Sequence, residues 1–166
     1  TECLKRLYPH AADTGLYAAA SGGVVGTAQN IFEGGYYKDL VESAFELTTS
    51  DPFRLPAIVR RAGETKYKKE LVSLLRLIFR DALILKTAKI NGVGQPGKTG
   101  RSRAEKYLML RSETQRLYNI SEYYQLGALI YAQEALSDAE KQIRFNGVFP
   151  QCLEICMAKI MEQNNK

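Results

Sequence analysis

Between Lys66 and Ile90 the apolar residues return every three or four positions: Leu71, Leu74, Leu75, Ile78, Ala82, Leu83 and Leu85. Such spacing stacks side chains on one face of an α-helix and leaves Lys69, Ser73, Arg76, Arg80 and Thr87 on the other. Leu77, Phe79 and Ile84 widen the apolar sector beyond a single seam. A long helix with so broad an apolar surface must be covered by more than one neighbour, so it is expected at the centre of an all-α helical bundle.

The rest of the chain offers the neighbours. Tyr37, Leu40, Val41, Ala44, Phe45 and Leu47 keep helical spacing between Tyr36 and Leu47, after a stop at Gly34-Gly35. Asp51-Pro52 supplies an N-cap and a first-turn proline for a helix from Pro52 to about Ala62. Ser112 and Gln115 have the capping-box spacing, placing a helix start there or at Ser121. Leu129, Ala132, Leu136, Ala139 and Ile143 then line one face, and Phe149, Leu153, Cys156, Met157 and Ile160 mark the last helix. The polar tail from Glu162 to Lys166 is expected to fray. Upstream, residues 1–33 read as three short helices, and no segment alternates with the period of two that a strand requires.

The chain has 166 residues, 45% hydrophobic and 25% charged, within the range of a folded globular domain rather than a disordered one. No apolar run approaches the roughly 20 residues of a membrane-spanning helix, and no leader pattern opens the chain, so a soluble cytoplasmic protein is expected. Its three cysteines are an odd number and favour reduced, buried thiols over a disulfide framework. Cys152 and Cys156, four apart on one helix, lack the further ligands that a metal would need, so no metal and no cofactor is expected. The single histidine, His10, has no acid pair nearby and reads as a surface residue rather than a catalyst.

Charge is unevenly spread. From Val59 to Arg111 there are 14 basic and 4 acidic residues, while the remainder holds 9 and 14. Arg60, Arg61, Lys66, Lys68 and Lys69 are the candidate nucleic-acid contacts within this block, against the alternative of a solvated helix face with little aromatic interleaving. Gly92-Val93-Gly94-Gln95-Pro96-Gly97-Lys98-Thr99 matches the phosphate-loop pattern, in which backbone amides and the lysine hold phosphates and the hydroxyl binds magnesium. That chemistry needs a strand before the loop and a helix directly after it. The preceding residues have helical periodicity and Gly100-Arg101-Ser102-Arg103 is a poor first helical turn, so Gly92, Gly97, Lys98 and Thr99 are expected to form a basic linker rather than a nucleotide site.

Three segments, in order, resemble one family. Ser21-Gly22-Gly23-Val24-Val25-Gly26-Thr27-Ala28 is similar to the glycine-punctuated helix start in the lid of bacterial DNA polymerase III clamp-loader subunits, with Gly26 where ATP-binding members carry a sensor arginine. Leu74-Leu75-Arg76-Leu77-Ile78-Phe79-Arg80-Asp81-Ala82-Leu83-Ile84-Leu85-Lys86 resembles the long collar helix of the delta-prime branch. Ala139 to Asn146, followed by Cys152-Leu153-Glu154, resembles the closing helix pair, although Gly147 to Pro150 departs from the family pattern.

The resemblance implies that residues 1–34 are a remnant of the AAA+ lid and 35–166 a carboxy-terminal collar domain, with a nucleotide-binding domain upstream of Thr1. It implies a non-catalytic role in assembling the ring that loads the sliding clamp onto primed DNA, with the gamma/tau and delta subunits as partners. An apolar surface left over on the last two helices would make that contact, with Leu129, Tyr131, Phe149 and Leu153 as the expected interface residues. The rival readings are a phosphate-loop NTPase using Lys98 and Thr99, and a basic helical module that binds nucleic acid.

Overall fold

The computed structural model describes residues 36–91 and 104–166, together with the isolated positions Arg6, Gly26 and Gln29. The segment expected to be a lid remnant, apart from Arg6, Gly26 and Gln29, and the glycine-rich stretch from Gly92 to Arg103 lie outside the described residues. Among the described residues there are six α-helices and no strand: α1 (Tyr36–Thr49), α2 (Leu55–Ala62), α3 (Lys68–Ile90), α4 (Thr114–Tyr123), α5 (Leu126–Arg144) and α6 (Phe149–Asn164). A 3-10 turn, Arg111–Glu113, leads into α4.

Helix α3 is the centre expected from its periodicity. Leu71, Leu74, Leu75, Ile78, Ala82 and Leu85 are buried, and Val72 and Phe79 extend the buried sector around the helix. Three neighbours cover it: α1, α4 and α5. Helix α6 closes the bundle against α5 and α2, so Leu153, Met157 and Ile160 join the same core as Leu129, Ala132 and Leu136. Between α2 and α6 the Pro150 ring packs so close that a Cβ on Gly63 would lie 2.9 Å from its Cγ.

The helix boundaries show where local chemistry overrides pattern. Helix α2 starts at Leu55 rather than Pro52, because Asp51 closes a turn first: its Oδ1 accepts the Phe53 amide at 2.8 Å. The Ser112 capping box does not form; the first residue of α4 is Thr114, whose hydroxyl donates back to the Arg111 carbonyl at 2.6 Å. Nor is there one helix from Ser112 or Ser121 through Ile143. The chain turns a corner at Tyr124 and Gln125, both extended, and restarts as α5.

That corner is held by the segment expected to fray. Asn164 Oδ1 accepts the Gln125 amide at 2.7 Å, Asn164 Nδ2 donates to the Tyr123 carbonyl at 3.3 Å, and Gln125 Nε2 donates to the Asn164 carbonyl at 3.1 Å. Tyr124 points inward from the same corner. Its hydroxyl donates to the Thr48 carbonyl at 2.9 Å, its ring meets Phe79 edge-on at 5.3 Å, and burial raises its pKa above the ordinary tyrosine value.

The α5–α6 turn is a Schellman-type stop. Asn146 takes φ of 66°, and the Gly147 amide donates to the Gln142 carbonyl at 2.8 Å. Gly147 is needed there because a Cβ would sit 2.7 Å from both Cys152 Sγ and the Gln142 carbonyl oxygen.

The charged group that organises the middle of the chain is Asp81, fully buried on α3. Its Oδ2 accepts the amides of Met109 and Leu110 at 2.7 and 2.9 Å, and its Oδ1 accepts Arg80 Nη1 at 2.7 Å. Burial pushes the Asp81 carboxyl above its ordinary value, with the two amides and Arg80 pulling it back in part. Asp81→Ala leaves two inward-facing amides without an acceptor and is expected to cost about 2–4 kcal/mol in urea unfolding. Asp81→Asn keeps one oxygen for both amides and should cost much less. Because the folded chain holds this proton more tightly than the unfolded chain, the group's contribution to stability falls as pH rises through 3.8 to the folded value. Unfolding measured on both sides of that window should therefore find Asp81→Asn gaining on the wild type towards neutral pH.

Candidate functional site

The four expected interface residues do not form a free surface. Leu129 and Leu153 are fully buried and Phe149 nearly so, all three within the chain's own core, and Tyr131 is partly buried against it. The reason is that α5 and α6 pack on each other and on α3 and α2, so the stripe that reads as spare in the sequence is consumed internally. The apolar surface that remains on the α5–α6 hairpin belongs to other residues. Ile130 and Ile155 are 50% and 54% exposed, and Phe145 and Val148 project from the turn between them. A shallow groove of about 100 Å³ between the two helices is lined by Tyr131, Ala135, Gln142, Ile155 and Lys159. Nothing in the sequence distinguishes Ile130 from Leu129 except its position one residue off the stripe.

The five candidate nucleic-acid contacts lie at the α2–α3 connection and are exposed. They are not equivalent. Arg61 is ion-paired with Glu46 of α1, and the Lys68 ammonium lies 5.6 Å from the centre of the Phe149 ring. Among the described residues Arg60, Lys66 and Lys69 have no ion-pair partner. The other arginines of the basic block, among the described residues, are occupied. Arg76 bridges to Glu140 of α5 at 3.1 Å, Arg80 to Asp81, and Arg111 donates to the Leu108 and Lys106 carbonyls. Just outside the block, Arg116 holds Glu42 of α1 through two parallel hydrogen bonds of 2.7 and 3.1 Å while lying 3.9 Å over the Phe45 ring. That pairing holds the Glu42 carboxyl below its ordinary value.

The phosphate-loop lookalike, with Gly92, Gly97, Lys98 and Thr99, lies outside the described residues. Its upstream context is described: α3 remains helical to Ile90, and Asn91 ends it with an amide bonded to the Thr87 carbonyl at 3.0 Å. A phosphate loop requires a strand at that place. Gly26 is helical and exposed.

Cys152 and Cys156 are buried free thiols in the α5–α6 contact. Burial pushes the Cys156 thiol up to about 12, so it is protonated at neutral pH and a poor ligand or nucleophile. Among the described residues no cluster of three or more His, Cys, Asp or Glu could hold a metal, and no helix is long and apolar enough to cross a membrane. No protein-family model, curated protein or solved structure matches this chain.

A thiol held protonated inside the core reacts only when the core opens. In a Cys3→Ser variant, a thiol reagent at mildly alkaline pH is expected to label neither remaining cysteine until denaturant is added. Rapid labelling of Cys156 in the folded chain would contradict the packing described here.

Proposed function

We propose that the helical bundle is a non-catalytic assembly module, and that the assembly it serves is the collar of a bacterial clamp loader, in the delta-prime position of DNA polymerase III. The observation that carries the assembly reading is the apolar surface left uncovered on the α5–α6 hairpin, Ile130, Phe145, Val148 and Ile155, after the core is complete. Exposed apolar groups gathered on one supersecondary unit are what a subunit contact uses. The sequence resemblance supplies the identity of the assembly: the long central helix with its Arg80-Asp81 pair, the closing helix pair, and Gly26 in place of a sensor arginine.

In this reading the chain performs no chemistry of its own. It acts in the cytoplasm, holding gamma/tau and delta subunits together while their motor domains open the sliding clamp and place it on primed DNA. The parent enzyme is the DNA polymerase III holoenzyme. Helix where a phosphate loop would need a strand agrees with a subunit that leaves ATP hydrolysis to its neighbours.

Co-expression tests this directly. The tagged chain should co-purify with gamma/tau and delta subunits, and Ile130→Glu combined with Ile155→Glu should abolish recovery. Both positions are half exposed, so the double variant should keep its helical circular dichroism and its Tm within a few degrees of wild type. Full recovery of the partners by the folded double variant would sink the hairpin as the contact, and no recovery by the wild type would sink the clamp-loader assignment.

A further inference from the structure

Along the chain the basic stretch from Arg60 to Lys69 has one aromatic residue, Tyr67, but the fold brings it a second. Tyr36, the first residue of α1, packs on Tyr67 with ring centroids 5.3 Å apart and planes tilted by 45°. The two rings border a cavity of about 230 Å³ between α1 and the α2–α3 connection, floored by Leu40 and Leu71 and edged by Arg61 and Thr65. Its volume is below the roughly 300–1,000 Å³ typical of pockets for drug-sized ligands, and suits one planar ring system. Tyr36 remains 50% exposed, so its ring is available for stacking while Tyr67 backs it. Asp39 and Ser43 also reach the cavity and offer an acceptor and a hydroxyl to a polar ring edge.

Three exposed cations with no ion-pair partner among the described residues lie within two positions of the residues that line this cavity. Lys66 stands between the lining residues Thr65 and Tyr67, Arg60 precedes the lining residue Arg61, and Lys69 follows in the first turn of α3. Against them stand Glu64 and Glu70. We propose that the Tyr36–Tyr67 cavity takes one unpaired base of a single-stranded nucleic acid, whose flanking phosphates lie on Arg60, Lys66 and Lys69. The aromatic pair is what separates this reading from a duplex or an acidic peptide: stacking needs a base out of its helix, and an acidic peptide has no planar ring to fill the cavity. The site lies at the α1, α2 and α3 end and uses none of the hairpin residues of the assembly contact, so either proposal can fail alone.

Fluorescence anisotropy of the full chain with labelled oligo-dT, oligo-rU and a DNA duplex of equal length decides it. Single strands are expected to bind at low ionic strength with log K falling against log salt at a slope of about −2, for three phosphates neutralised. Binding of either strand supports the site, and the difference between them identifies the sugar it accepts. Tyr36→Ala should weaken single-strand binding on the order of tenfold to a hundredfold, with Tyr36→Phe close to wild type, because stacking needs the ring and not the hydroxyl. Combined Arg60→Ala, Lys66→Ala and Lys69→Ala should flatten the salt slope, with the fold checked by circular dichroism. Absence of salt-sensitive binding overturns the proposal. So does duplex binding as tight as single-strand binding with Tyr36→Ala unaffected, or equal competition by polyglutamate, since each requires only charge.

Discussion

The buried carboxylate of Asp81 is the constraint on which the described half-molecules depend. Beyond α3 the described chain resumes at Ala104 and places Leu108 and Leu110 in the core. Those leucines bring backbone amides inward with them, and a buried amide without an acceptor costs as much as the burial of a methyl group or two returns. Asp81, on α3, accepts the amides of Met109 and Leu110 at once. The central helix therefore carries, on its otherwise apolar face, the acceptor that lets the next segment dock. With that segment in place, Arg111 and the turn into α4 follow, and α4 can meet α1 through Arg116 and Glu42.

The architecture was legible where hydrophobic periodicity is strong. Helices α1, α3 and α6 lie where the spacing of Leu40 to Leu47, Leu71 to Leu85 and Phe149 to Ile160 puts them, and the wide apolar sector of α3 gives its central position before any coordinate is known. What pattern cannot carry is the partner of a polar group. Asp81 reads as one charge among several on an amphipathic helix, and only the return of Met109 and Leu110 makes it a buried acceptor. The same holds for the corner at Tyr124, which interrupts an apolar stripe that is continuous in the sequence, and for Asn164, whose role depends on where Gln125 arrives.

The functional surfaces follow the same rule in reverse. A sequence stripe identifies residues that want to be covered, and the fold decides whether the cover is internal. Leu129, Phe149 and Leu153 are covered by their own chain, which moves the candidate contact to Ile130 and Ile155, one face round each helix. The basic block divides in the same way. Among the described residues its arginines other than Arg60 are spent on ion pairs and carbonyls within the bundle, and three of the cations without an ion-pair partner stand at the α2–α3 connection. The aromatic neighbour that gives those cations a chemical meaning comes from Tyr36, in a different helix and far off in sequence.

The clamp on the Tyr124–Gln125 corner has a consequence for the order in which the molecule can be made. Asn164 lies 39 residues after the amide it receives. During synthesis from the amino end, α4 and α5 have both emerged and could form as helices well before their mutual angle can be locked. The corner stays a hinge until the closing turn of α6 has formed, so that turn acts as the latch between α4 and α5.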